Sequence, residues 1–413
     1  MDGPTTVALA DIFVVLLLAL ALVALVSRRF AVPYTAGLVL LGLLAAIVVP
    51  HIGIVVTPEL VLAVLVPGLV FEAAFRLDID ELRPTLPAVS LLAIPGVLIT
   101  AGLVAVVLHL AVGLPLESAF LVGAMVSATD PVAVVATMRQ LRAPERLTTL
   151  IEGESLFNDG TGIVLFTVAL GTSDRIGEGL VTFVVTVAVS VLIGLILGGI
   201  AAWIGGRIDD INLELTLTLI AAYGVYLLAD RLHESGIIAT VVAGIVIGNY
   251  GRRGGMSARS RVAIDTVWSY LAFLLTAIVF LLVGLTMTAG DLAQAAGPIA
   301  WGLLAVIAGR ALVVYGLLGG LGRLGPGRRL GLHLPAAWSH VLFWSGLRGA
   351  IAIALALSLP ADYPDRTLLQ GIVFGIVLFT LLVQGTSAGR IVRLAGPPAF
   401  PPLPGGQRAT DPT

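Results

Sequence analysis

Thirteen apolar segments, each long enough to span or nearly span a lipid bilayer, follow one another along the chain and leave little room for anything else. Their approximate limits are 6–26, 32–49, 58–75, 86–112, 115–138, 150–171, 178–206, 212–229, 235–249, 266–289, 294–321, 336–359 and 368–389. Turn-forming stretches separate them, among them Ser27-Arg28-Arg29, Pro50-His51-Ile52-Gly53, Gly113-Leu114-Pro115 and the Gly/Arg-rich 251–261. Only 12% of the residues are charged and 58% are hydrophobic, whereas a soluble domain is about 25% charged. One soluble core cannot hide that excess, so lipid must cover it. The expected fold class is an all-α integral membrane protein with 13 transmembrane helices. The first segment lacks a basic flank and an A-x-A-like cleavage site, and reads as a span rather than a signal peptide. Residues 1–393 read as one membrane unit with no soluble domain appended, and the Pro/Gly-rich 394–413 as a short disordered tail.

The basic residues test this count. All 23 are arginine. The loops after the odd-numbered spans, with the C-terminal tail, hold 18 of them; the N-terminus and the loops after the even-numbered spans hold 3. One missed helix would scramble that alternation. Because cytoplasmic loops collect arginine, the expected topology puts the N-terminus outside and the C-terminus in the cytoplasm of a multi-pass cell-membrane protein. The net charge of −2 argues against a nucleic-acid partner. Without cysteine there is neither a disulfide nor a thiolate site, and nothing in the sequence calls for a cofactor.

Two spans interrupt themselves. Span 5 carries Thr129-Asp130-Pro131 near its middle, and proline removes a helical hydrogen bond while displacing the residue before it from the α region. Span 12 carries Ser345-Gly346-Leu347-Arg348-Gly349, two glycines beside a charge. If two inverted six-helix repeats, spans 1–6 and 8–13, flank span 7, these breaks occupy matching positions. Matching broken helices in inverted halves point to a transporter binding site. Glycine and proline are also simply common in membrane helices, but both of these breaks coincide with charges.

An ionisable group at mid-bilayer needs a partner or a task. Asp130, Glu154, Asp159, Arg310 and Arg348 are the candidates. In Gly153-Glu154-Ser155-Leu156-Phe157-Asn158-Asp159-Gly160, Ser155 and Asp159 share one helix face, and Glu154 and Asn158 a neighbouring one. These are hard oxygen donors, suited to a small hard cation. At the break in span 5 the Thr129 carbonyl loses its helical partner. That carbonyl, the carboxylates of Asp130 and Asp159 and the Ser155 hydroxyl together make a cage for sodium. A carboxyl taken out of water also holds its proton more firmly, so proton and cation would compete for one site. Glu154 with Arg310 reads as a structural ion pair. Arg348 reads as neutralising either carboxylates or helix carbonyl ends. Glu72 and Arg76, four apart, read as an interfacial pair. Asp11 is placed near the outer end of span 1, within reach of headgroups or water. The five histidines, His51, His109, His233, His333 and His340, read as locally satisfied.

Ser127-Ala128-Thr129-Asp130-Pro131 followed by Gly153 to Gly160 resembles the NhaP-type sodium/proton antiporters, of the first family of monovalent cation/proton antiporters, which also contains the animal sodium/proton exchangers. Gly309-Arg310 and Gly346-Leu347-Arg348-Gly349-Ala350-Ile351 fit the same family, so the resemblance covers nearly the whole chain. It implies a secondary active antiporter exchanging Na+ or Li+ for H+, not an enzyme. It implies a core of spans 4–6 and 11–13 (86–171 and 294–389) moving as an elevator against a homodimerisation domain of spans 1–3 and 7–10 (6–75 and 178–289). Asp159 would be the cation and proton carrier, with Asp130, Ser155 and the Thr129 carbonyl completing coordination. Asn158 and Glu154 would support the site, Arg310 pairing Glu154. Asparagine before the aspartate is the family's mark of electroneutral one-for-one exchange. The expected protein differs from many eukaryotic relatives in having no long cytoplasmic regulatory tail. K+/H+ exchange on the same scaffold is one alternative. An intramembrane aspartyl protease is another, although its Tyr-Asp and Gly-x-Gly-Asp runs do not surround Asp130 or Asp159. A cation channel is the third, set apart by the current it would carry.

Overall fold

A computed structural model describes residues 20–26, 34–48, 60–171, 176–251, 256–286 and 289–395, with isolated positions between 14 and 18. Asp11, His51, the Arg28-Arg29 turn and most of the tail 394–413 lie outside the described residues. Among those described there are helices and no strands. All-helical structure is what an apolar solvent dictates, because each backbone N–H and C=O is then satisfied within its own segment.

In chain order the principal helices are α1 Tyr34–Val48, α2 Val66–Arg76, α3 Leu86–Ala93, α4 Pro95–Val112, α5 Leu116–Ser127, α6 Val132–Gln140 and α7 Glu145–Gly171. There follow α8 Ile176–Gly205, α9 Ile211–Arg231, α10 Gly236–Val246, α11 Ala258–Thr286 and α12 Ala296–Ala311. The last are α13 Ala336–Trp344, α14 Ala350–Leu357, α15 Arg366–Phe379 and α16 Thr386–Leu394. Over the described residues, every apolar segment from the second to the thirteenth is therefore helical, apart from the breaks in segments 5 and 12. Among the described residues seven stretches are long and apolar enough to cross a membrane: Leu86–Val112, Leu116–Gln140, Phe183–Gly205, Ile211–Arg231, Ala258–Leu282, Ala296–Arg323 and Arg366–Leu394. Helix α7 has the length, at 27 residues, but Glu154, Asn158 and Asp159 lower its hydropathy.

Local chemistry sets the joints. Gly113 closes α4 in the left-handed conformation at φ 80° and donates to the His109 carbonyl. Pro115 then opens α5. Segments 5 and 12 are each two helices: Ala128–Pro131 separates α5 from α6, and Ser345–Gly349 separates α13 from α14. Residues Leu60–Leu65, Ile247–Gly251, Leu312–Leu318 and Thr380–Gly385 wind as π-turns. Some helices outrun the apolar segments. Helix α7 begins at Glu145 and not near 150, α11 at Ala258 and not near 266, and α16 runs to Leu394 and not 389. Hydropathy marks where a helix leaves lipid, whereas the hydrogen-bonded spiral continues into its polar first or last turn.

The helices pack in two groups. One sets α1 against α11, and α10 against α2, α8 and α9. The other sets α5 against α4 and α7, α12 against α4 and α15, and α14 against α5 and α15. A cavity of about 490 Å³ opens between them, reached by Glu72 and Tyr34 from the first group and by both helix breaks from the second.

Candidate functional site

The two breaks meet. The Asp130 backbone N–H, with no helical acceptor beside Pro131, donates to the Leu347 carbonyl at 2.8 Å. Contact this close needs glycine at 349: a methyl group built there would fall on the Asp130 side chain. Asp130 Oδ1 turns back to accept from the Val132 N–H at 3.2 Å, capping the start of α6. On the other side Arg348 reaches into the end of α5. Its Nη1 donates to the Ser127 carbonyl at 2.8 Å and the Ala128 carbonyl at 3.0 Å, and its backbone N–H donates to Thr380 Oγ1 at 3.1 Å. Sequence reasoning left Arg348 between carboxylates and carbonyl ends. The structure assigns it to the carbonyl ends, where a cation also meets the negative pole of the helix dipole.

Helix α7 holds Thr129 in place. Ser155 Oγ donates to the Thr129 carbonyl at 2.6 Å, Asn158 Nδ2 donates to Thr129 Oγ1 at 2.7 Å, and Asn158 Oδ1 accepts from the Thr129 N–H at 3.1 Å. Ser155 and Asn158 are neighbours on the surface of α7, one turn apart, so together they grip a single residue. Asn158 is 1% exposed, which leaves its amide no partners but these. The Thr129 carbonyl and the Ser155 hydroxyl each keep a free lone pair.

Asp130, Asp159, Thr129 and Ser155 all line the cavity between the helix groups. No hydrogen bond or ion pair reaches the Asp159 side chain among the described residues. The candidate cage residues are thus brought together, with an acid at the cavity wall that no basic residue neutralises. Glu154, one position from Ser155, points the other way. Both carboxylate oxygens of Glu154 accept from the Arg310 guanidinium, Nη2 to Oε2 at 2.9 Å. Arg310 Nη2 also donates to the Leu342 carbonyl at 2.6 Å and approaches Ser345 Oγ at 3.4 Å. This pair ties α7, α12 and α13 together and is 2% and 6% exposed for Glu154 and Arg310.

Sequence reasoning missed further cavity residues. Glu72 pairs with Arg76 at 2.6 Å as expected, yet it also faces the cavity with Tyr34. The i, i+4 spacing to Arg76 gave Glu72 a sufficient local explanation, and only the folded chain sets it opposite Asp130 and Asp159. Arg139 and Glu152, paired at 2.5 Å, also line the cavity. Of the histidines, His109 meets the Leu114 carbonyl and His340 the Tyr315 hydroxyl, each at 2.8 Å.

Half-buried acids facing a cavity where two broken membrane helices touch define a membrane transporter. The family model for the transmembrane sodium/hydrogen exchangers matches residues 14–394, and the chain belongs to that family. It is 39% identical to the Na+/H+ antiporter ApNhaP of Aphanothece halophytica over 88% of this chain and 70% of the relative. It is 32% identical to the Na+/H+ antiporter NhaH of Halobacillus dabanensis over 94% of this chain and 98% of that one. The fold is similar to that of the sodium proton antiporter MjNhaP1 from Methanocaldococcus jannaschii, with a TM-score of 0.77, 22% identity and coverage of 93% and 98% of the two chains. The family consists of secondary transporters and not enzymes, which removes the aspartyl protease alternative.

Proposed function

We propose that this chain exchanges Na+, or Li+, for H+ across the cell membrane, with both ions competing for Asp159. The observation that carries the reading is the pairing of Asp130 and Asp159 on one cavity with no ion-pair partner for either among the described residues, beside the Thr129 carbonyl and the Ser155 hydroxyl. Hard oxygen donors without a fixed counter-charge suit a cation that comes and goes. A carboxylate that holds Na+ cannot hold H+, so occupancy alternates. In this reading Asn158 keeps Thr129 in register without adding a third exchangeable charge, which fits electroneutral one-for-one exchange.

The wider arrangement is part of the same proposal. Thirteen spans form two inverted repeats, with the N-terminus outside and the C-terminus cytoplasmic. The helix group of α3–α7 and α12–α16 moves as an elevator against the remainder, which forms a homodimer. The low burial of Phe183–Gly205, 22% against 72% for Leu116–Gln140, supports an outer position for α8.

Competition has a direct signature. Uptake of radioactive sodium into proteoliposomes is expected to show a KM for Na+ that rises as pH falls, by about tenfold per unit at the acid limit of simple mass action. Collapsing the membrane potential with valinomycin and potassium should leave the rate unchanged. A KM flat across the pH range would remove competition, and uptake driven by K+ in place of Na+ would reassign the cargo.

A further inference from the structure

We propose that the end of the molecule where α6, α16 and the stretch begun by α12 leave the membrane is a docking surface for the headgroups of anionic phospholipids. Three membrane-crossing stretches finish there, at Gln140, Arg323 and Leu394. Around those ends stand Arg142, Arg323, Arg328, Arg329, Arg390 and Arg393, all exposed. Among the described residues none of these six side chains makes an ion pair.

They form one surface. Helix α16, bearing Arg390 and Arg393, packs on α6. The turn that follows α6 carries Arg142, and Arg146 just beyond it donates to the Gly331 carbonyl at 3.5 Å. That bond brings the Arg328-Arg329 stretch beside the 142–146 turn. The acids nearby do little to balance the charge: Glu152 is already paired with Arg139, leaving Glu145. The other helix group differs at this end. There the arginines Arg76, Arg83, Arg207, Arg252, Arg253, Arg259 and Arg261 are interleaved in sequence with five acids, Asp78, Asp80, Glu81, Asp209 and Asp210, whereas the six arginines above have only Glu145 among them.

Charge alone would suit any polyanion, but the apolar residues between the arginines narrow the choice. Leu141, Leu324, Leu330 and Leu394 are 42%, 57%, 54% and 83% exposed, each next to an arginine. A soluble phosphate or nucleic acid offers nothing to cover them. A lipid leaflet does, since leucine can enter the acyl boundary while the arginine stem reaches up to the headgroup. The planar guanidinium forks onto phosphate oxygens with two hydrogen bonds, and an anionic leaflet concentrates such charge at its surface.

The test uses the purified full chain in neutral detergent. Thermal unfolding is followed as phosphatidylglycerol or phosphatidylcholine is added, for wild type and for the variant Arg328→Gln/Arg329→Gln/Arg390→Gln/Arg393→Gln. Phosphatidylglycerol is expected to raise the melting temperature of wild type where phosphatidylcholine does not, and its apparent affinity should fall about fivefold for each arginine removed. The corresponding four-lysine variant, which keeps the charge and loses the two-bond fork, should fall between wild type and the glutamine variant. Equal stabilisation of the glutamine variant, or of wild type by both lipids, would overturn the proposal. So would full stabilisation by glycerol phosphate alone, which would mark a soluble phosphate site. If the fourfold variant does not fold, the Arg328→Gln/Arg329→Gln pair is measured against the same two lipids, with the same readings deciding.

Discussion

Two acids sit within two helical turns of each other on α7 and have opposite surroundings. Glu154 is sealed: Arg310 takes both its oxygens, Arg348 lies close by, and the gap beside them holds about 10 Å³. Asp159 faces a cavity of about 490 Å³ together with Asp130, and among the described residues no ion pair answers it. A buried charge that has a fixed partner is part of the framework, because removing either member strands the other. A half-buried acid without one is available to a mobile cation. The contrast teaches that position in the membrane does not by itself mark the working residue; the missing counter-charge does.

The comparison can be broken from the sealed side first. Arg310→Ala leaves Glu154 buried and alone and is expected to destabilise the protein by about 3–5 kcal/mol, seen as lost yield or a lowered melting temperature in detergent. The double change Glu154→Leu/Arg310→Met should recover much of that loss. If Arg310→Ala keeps its stability and loses only transport, the pair belongs with the exchange chemistry. Gly349→Ala comes next. Its methyl group must push Asp130 away from the second break, so sodium-driven proton movement should fall steeply while α-helical content by circular dichroism stays constant.

Arg348→Met tests the carbonyl ends. Ser127 and Ala128 lose their donor, at a cost of about 1–3 kcal/mol, and the melting temperature should fall by less than for Arg310→Ala. The smallest effect is expected of Ser155→Ala. It removes one hydroxyl from the Thr129 carbonyl and from the cage, worth about 1 kcal/mol, and should raise the KM for Na+ about fivefold with little change in maximal rate.

Much of this contrast was legible in the sequence because charges stand out in apolar segments. Asp130, Glu154, Asp159, Arg310 and Arg348 are conspicuous for that reason, and Pro131 and the glycines at 346 and 349 announce the breaks. The Glu154–Arg310 pairing was one that the charges allowed and that the family resemblance implied. What sequence could not supply is which acids face space. Glu72 looks settled by Arg76, and its place on the cavity depends on α2 packing beside helices far along the chain. The bond from Asp130 to the Leu347 carbonyl likewise joins breaks that periodicity treats separately. The π-turns were invisible because a π-turn and an α-turn have the same apolar composition.

The central claim is that Asp159 carries the exchanged ions, and proton movement in proteoliposomes tests it most directly. A pH-sensitive dye is followed as Na+ is added to wild type and to Asp159→Asn, with melting temperatures recorded for both. The account predicts sodium-driven proton movement in wild type and none in Asp159→Asn, with the variant at least as stable, since a neutral amide replaces a half-buried acid that has no counter-charge. An Asp159→Asn protein that still moves protons at the wild-type rate would contradict it.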